Sequence, residues 1–143
     1  MRLLVLTAIL LAAVALCGCT SVTTPDTPPL PPFPNLVGNW SGPMTGYDQG
    51  PGYTNYSGSI MVMTVKEQKD RIFSGMIDFV PPIGNHPAKE FAGVIDRDGR
   101  TIRLAEEVGY STGTILSKDE IEIVYSKDGT PFTVAIDTLK RNP

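Results

Sequence analysis

Histidine occurs once in this chain and cysteine twice. A structural zinc site needs four such ligands and a catalytic one at least three, so the composition leaves little room for either. Basic residues are also few, and 12 Lys and Arg against 15 Asp and Glu give a net charge of −3. No electrostatic footprint for a phosphate backbone results, and nucleic acid is excluded as a partner. No Gly-rich phosphate loop and no Gly-x-Ser-x-Gly elbow is present, which removes the common nucleotide and esterase chemistries. Sustained helical periodicity is missing from Leu36 onward. At 143 residues the chain has the size of one domain with a real core.

What is present begins with an apolar run from Leu3 to Leu16 behind the single charge of Arg2. The run is too short to cross ~30 Å of hydrocarbon comfortably and reads as the core of a signal peptide. It ends in Leu16-Cys17-Gly18-Cys19, which resembles the prokaryotic lipobox. The resemblance implies that residues 1–18 are removed, that Cys17 leaves with them, and that Cys19 carries lipid. The competing readings are an ordinary cleaved signal that leaves a thiol, and a Cys-x-Cys redox or metal pair. With Cys19 lipidated, no free thiol or disulfide remains and the domain must be stable through its core alone. Residues 19–35 hold six prolines, which forbid helix and ladder and favour a polyproline II stalk of ~40–50 Å. A proline-rich ligand for an SH3-like domain is the alternative for that stretch.

Residues 36–143 are expected to form an all-β domain. Short runs rich in Val, Ile, Thr and aromatics recur between turn signals, with strands expected near 37–46, 57–67, 71–79, 90–96, 101–108, 110–117, 120–126 and 131–139. In "EIEIVYS", Ile121, Ile123 and Tyr125 share one face, and "FTVAID" alternates in the same way with Phe132, Val134 and Ile136. Asp98-Gly99 and Asp128-Gly129 signal two-residue hairpins with positive φ at both turn positions. Eight sequential strands with short connections predict an eight-stranded antiparallel up-and-down meander that closes into a barrel and so removes its edges. The triplets ending at Gly42, Gly58, Gly75 and Gly93, and the looser one ending at Gly113, place glycine inside strands. A closing barrel needs close approaches at such points.

In outline this architecture resembles the avidin and lipocalin barrels, which implies a fold and no particular ligand. The phrases "NWSGPMTGY", "RIFSG", "FAGVI", "GYSTGT", "DEIEIVY" and "AIDTLKR" together resemble small lipoproteins of methanogenic archaea. That resemblance implies a protein held outside the cytoplasmic membrane and supplies no catalytic residue.

Candidate ligand-binding residues come from the long connections at 46–56 and 80–89. Successive strands alternate in direction, so both connections leave from one end of the barrel. Tyr47, Tyr53 and Tyr56 offer flat amphipathic surface there, facing Asn85 and His86 across the mouth. The same tyrosines could equally plug the open end. Glu106 and Glu107 are adjacent on a strand and point to opposite faces, so they form no acid–base pair. Glu106 faces the interior if Leu104 does, and faces solvent in a register shifted by one. Asn39 and Asn55 head glycosylation triplets. The expectation is a non-enzymatic binding or interaction module of the cell envelope, without cofactor or metal. It would attach to the membrane through Cys19 on the extracytoplasmic face, with a small molecule or an envelope protein as partner. An inhibitor-type lipoprotein that blocks an envelope enzyme is the first alternative. A hydrolase using His86 and an acid is the second.

Overall fold

The computed structural model describes residues 32–81, 83 and 87–143; Cys19, Asn85, His86 and the expected leader and most of the proline-rich linker lie outside them. Ten strands are present among the described residues: β1 (Gly38–Gly42), β2 (Met44–Asp48), β3 (Gly52–Thr54), β4 (Ile60–Lys69), β5 (Ile72–Val80), β6 (Lys89–Ile95), β7 (Thr101–Glu106), β8 (Tyr110–Ser117), β9 (Glu120–Lys127) and β10 (Thr133–Arg141). From β4 to β10 each strand pairs with the next in antiparallel fashion, and β1 pairs with both β4 and β10. Eight strands therefore close a barrel, as the meander predicts, and β2 and β3 are additional to it.

The extra strands arise where the expected 37–46 strand breaks at Pro43. Proline has no N–H for the ladder, and Gly42 before it lies so close to β10 that a Cβ there would sit 1.8 Å from the Thr138 carbonyl oxygen. Up to Gly42 the chain pairs with β4 as far as Met61. Beyond Pro43 it stays with β10, from Met44 opposite Asp137 to Asp48 opposite Thr133, and leaves β4 behind. It then folds back as β3, with Tyr47 opposite Tyr53. The segment read from sequence as a loop at 46–56 is thus largely a hairpin, and the barrel wall parts beside it.

Around β1 the interior is filled. Trp40, Phe73, Ile95, Ile102, Ile121 and Leu139 are almost wholly buried there, capped by Leu36. The Trp40 indole Nε1 donates to the Leu36 carbonyl at 2.9 Å. Arg141 lays its guanidinium 4.1 Å from the centre of the Trp40 ring and donates to the carbonyls of Val37 and Asn35, both at 2.8 Å. This ties the entering chain to the last strand. Inside the strands, Gly75 and Gly93 leave room for close neighbours. A Cβ on Gly75 would lie 1.9 Å from the Thr64 carbonyl oxygen, and one on Gly93 would lie 2.5 Å from the Phe73 ring. Gly42 and Gly113 are crowded in the same manner, whereas Gly58 sits in a turn with open space around it.

Two expectations need correction. In the hairpin turns only the glycines, Gly99 and Gly129, take positive φ. Asp98 instead accepts from the backbone N–H of Arg100 and Thr101 at 2.9 and 2.8 Å and from the Thr101 hydroxyl. Those bonds, the hydroxyl's foremost, hold its carboxyl down at about 2. The second correction is the face of β10. Phe132 precedes that strand and Val134 and Ile136 lie on it; all three point outward and are more than two-fifths exposed, while Ala135, Asp137 and Leu139 point inward. Opposite residues of an antiparallel pair share a face. Leu139 lies opposite Ile121 and Asp137 opposite Ile123, so the two buried isoleucines of β9 carry Asp137 into the barrel.

Candidate functional site

Away from Trp40 the barrel is not filled. A mostly apolar cavity of about 400 Å³ opens at that end, within the usual range for small-molecule sites. Met44, Met61, Ile77 and Phe79, from β2, β4 and β5, form one side. Ile83 and Pro87 of the connection between β5 and β6 reach it from the rim. The opposite side is polar and comes from β7 to β10.

Register explains that polar side. Leu104 of β7 lies opposite Ser111 of β8, Ser111 opposite Tyr125 of β9, and Tyr125 opposite Ala135 of β10. Glu106 and Asp137 each follow by two residues on the same face as Leu104 and Ala135, so Glu106, Ser111, Tyr125 and Asp137 all line the cavity. The Ser111 hydroxyl donates to Glu106 Oε1 at 2.5 Å. Burial pushes the Glu106 carboxyl up, against the opposing effects of that hydrogen bond and of the Lys89 charge. The Tyr125 hydroxyl donates to the Val108 carbonyl at 3.0 Å, and burial, helped by the Glu106 charge, raises its pKa as well.

Asp137 is the unusual member. Only 3% of the residue is exposed, and among the described residues its Oδ1 has no hydrogen-bond partner. Burial, with a further contribution from the Glu106 charge, pushes its carboxyl up to about 7. A buried oxygen without a partner costs free energy and calls for an explanation.

At the mouth, the Tyr56 hydroxyl donates to Asp48 Oδ2 at 3.0 Å while Thr133 Oγ1 donates to Asp48 Oδ1 at 2.8 Å. Burial and the bond to Asp48 push the Tyr56 phenol up to about 12. Its backbone φ of 44° lies in the left-handed region, a strained conformation for a bulky residue. Lys89 pairs with Glu107 at 3.1 Å.

The residues expected from sequence separate into three groups. Tyr56 and Glu106 line the cavity. Tyr47 and Tyr53 do not: Gly46 and Asp48 alternate with Tyr47, so its ring stands on the outer face, 5.1 Å edge-on from Tyr53 and 6.2 Å from Phe132 in parallel stacking. Tyr53 is 92% exposed. These two neither line the mouth nor plug it. Asn85 and His86 lie outside the described residues, although their neighbours Ile83 and Pro87 border the cavity. Of the glycosylation candidates, Asn39 is exposed on β1 and accepts from Thr64 Oγ1, and Asn55 is exposed in a turn with its Oδ1 on the Ser57 N–H. Sequence reasoning missed Asp48, Ser111, Tyr125 and above all Asp137. The signal for Asp137 was available only through its pairing with the "EIEI" stretch, because its own strand carries the stronger apolar pattern on the other face.

Among the described residues no three His, Cys, Asp or Glu come together in a way that could hold a metal ion. No family model matches this chain and no curated protein matches it in sequence, so the functional argument rests on the cavity itself.

Proposed function

We propose that this protein is a non-enzymatic binding module of the cell envelope, held to the membrane by lipid on Cys19, that takes a small molecule into the open end of its barrel. The observation that carries the reading is the contrast within one barrel. One end is packed to near-zero exposure, and the other keeps about 400 Å³ of mostly apolar space with a few convergent polar groups. A protein that needed only a stable fold would fill that space, since unfilled apolar volume costs stability. The methionines on the apolar side, Met44 and Met61, suit a ligand-adaptable wall. The lipobox resemblance and the proline-rich stretch support an anchored domain displayed away from the bilayer.

The binding part is tested with a neutral naphthylamine dye titrated into the full chain. Saturable fluorescence enhancement is expected, and Ala135→Phe, which projects a ring into the cavity, should abolish it while cooperative unfolding persists. Enhancement unchanged in Ala135→Phe would place the dye elsewhere and remove the reading. The anchoring part is read by fractionation, where Cys19→Ser should move the protein from the membrane to the soluble fraction. Retention in the membrane would overturn the anchor.

A further inference from the structure

Resting on the binding-module reading, we infer that the cavity takes a small organic ammonium, its charged nitrogen on Asp137 beside Glu106 and its hydrocarbon body along Met44, Met61, Ile77 and Phe79. Three alternatives fail on the same wall. A purely apolar ligand would leave Asp137 Oδ1, sealed from solvent and unpartnered, exactly as unsatisfied as before. An anion seated against Asp137 would meet two carboxylates in mostly apolar surroundings. A metal ion would need further ligands, and the described residues bring no third acid, histidine or cysteine to the pair.

Three of the other charged groups on the wall are already engaged. Asp48 is held by Tyr56 and Thr133, Lys89 by Glu107, and Glu106 by Ser111. Among the described residues Asp137 alone has a buried side-chain oxygen without a partner. An ammonium supplies N–H donors and a positive charge together, so it pairs with the Asp137 carboxylate and relieves the repulsion from Glu106 in one contact. The Tyr125 hydroxyl, turned to the Val108 carbonyl, does not compete for that place. The apolar side of the cavity then discriminates against ammonium itself and against strongly polar amines, which would leave Met61 and Phe79 facing unreleased water.

The test compares three probes of one shape, hexylammonium, hexanol and hexanoate, titrated calorimetrically into the full chain at pH 8. Hexylammonium should bind roughly thirtyfold more tightly than hexanol, the scale set by one buried charge-assisted contact. In Asp137→Asn the preference should vanish while hexanol binding remains, which separates loss of the charge from loss of the fold. Glu106→Gln should reduce the preference without abolishing it. The hexylammonium affinity should also fall as pH is lowered through about 7, as Asp137 takes up its proton. The groups facing Asp137 across the cavity are Asp48, Tyr56, Lys89, Glu106, Tyr125 and Lys127, and of these Glu106 acts on it through its charge. Hexanol or hexanoate binding as well as hexylammonium would overturn the ammonium inference and leave the pocket standing. Failure of all three probes and of the neutral dye would overturn both.

Discussion

Trp40→Ala should lower the stability of the barrel by about 3–5 kcal/mol, the range for removing a fully buried large aromatic. For a domain of this size that is a fall on the order of 15 °C in melting temperature. Three losses coincide at this position. The indole is completely buried at the filled end, its Nε1 holds the Leu36 carbonyl, and its face carries the Arg141 guanidinium. Because β1 is the strand that joins β4 to β10, a loosened Trp40 weakens the seam that closes the barrel. Trp40→Phe keeps most of the apolar contact and loses the donor, so a loss of only about 1–2 kcal/mol is expected. Urea unfolding of the three proteins decides the matter: Trp40→Ala within 1 kcal/mol of the parent would show that the seam is held elsewhere. Dye binding at the far end should survive in the folded fraction of either variant, since Trp40 is not among the residues that line the cavity.

The fold was largely legible because alternation and turn chemistry point the same way along most of the chain. Ile121, Ile123 and the glycines at 42, 75, 93 and 113 each announce a barrel wall by local pattern. The candidate site was legible only in part. Tyr56 and Glu106 could be picked from loop composition and strand parity, but Tyr47 and Tyr53 sit on a hairpin whose parity turns them outward, and that hairpin exists because Pro43 releases the chain from β4. For β10, local pattern and tertiary register conflict. The stretch Phe132, Val134, Ile136 reads as a buried face when taken alone, yet pairing with β9 turns it to solvent and buries Asp137. Periodicity within one strand cannot reveal which face a neighbour will claim. Such conflicts between local and global preference are expected to concentrate at functional sites.

Asp137 lowers the stability of the protein that contains it, and the size of that effect can be read from its pH dependence. Its carboxyl ionises at about 7 in the folded chain, against 3.8 in the unfolded one. Between those values the folded state holds a proton that the unfolded state has released. Stability from this group is therefore fully present below pH 3.8, declines as pH rises, and is lost above about 7, a difference of about 4 kcal/mol across the window. Asp137→Leu, similar in size and free of charge, should exceed the parent by a margin that grows by roughly that amount between pH 4 and pH 8; Asp137→Asn should gain less, because its amide also lacks partners. Asp98, held down at about 2, acts in a separate window below pH 4 and is the same in both proteins. Urea titrations at pH 4 and pH 8 measure the difference, and a parent no less stable than Asp137→Leu at pH 8 would mean that Oδ1 is satisfied after all. A residue that costs this much at neutral pH is better accounted for by binding than by folding. An ammonium bound to the ionised carboxylate lowers its pKa and stabilises the folded state by RT ln(1 + L/Kd), where L is the free ammonium concentration. The pH-dependent loss seen in the free protein should accordingly shrink when saturating hexylammonium is present, and should be untouched by hexanoate.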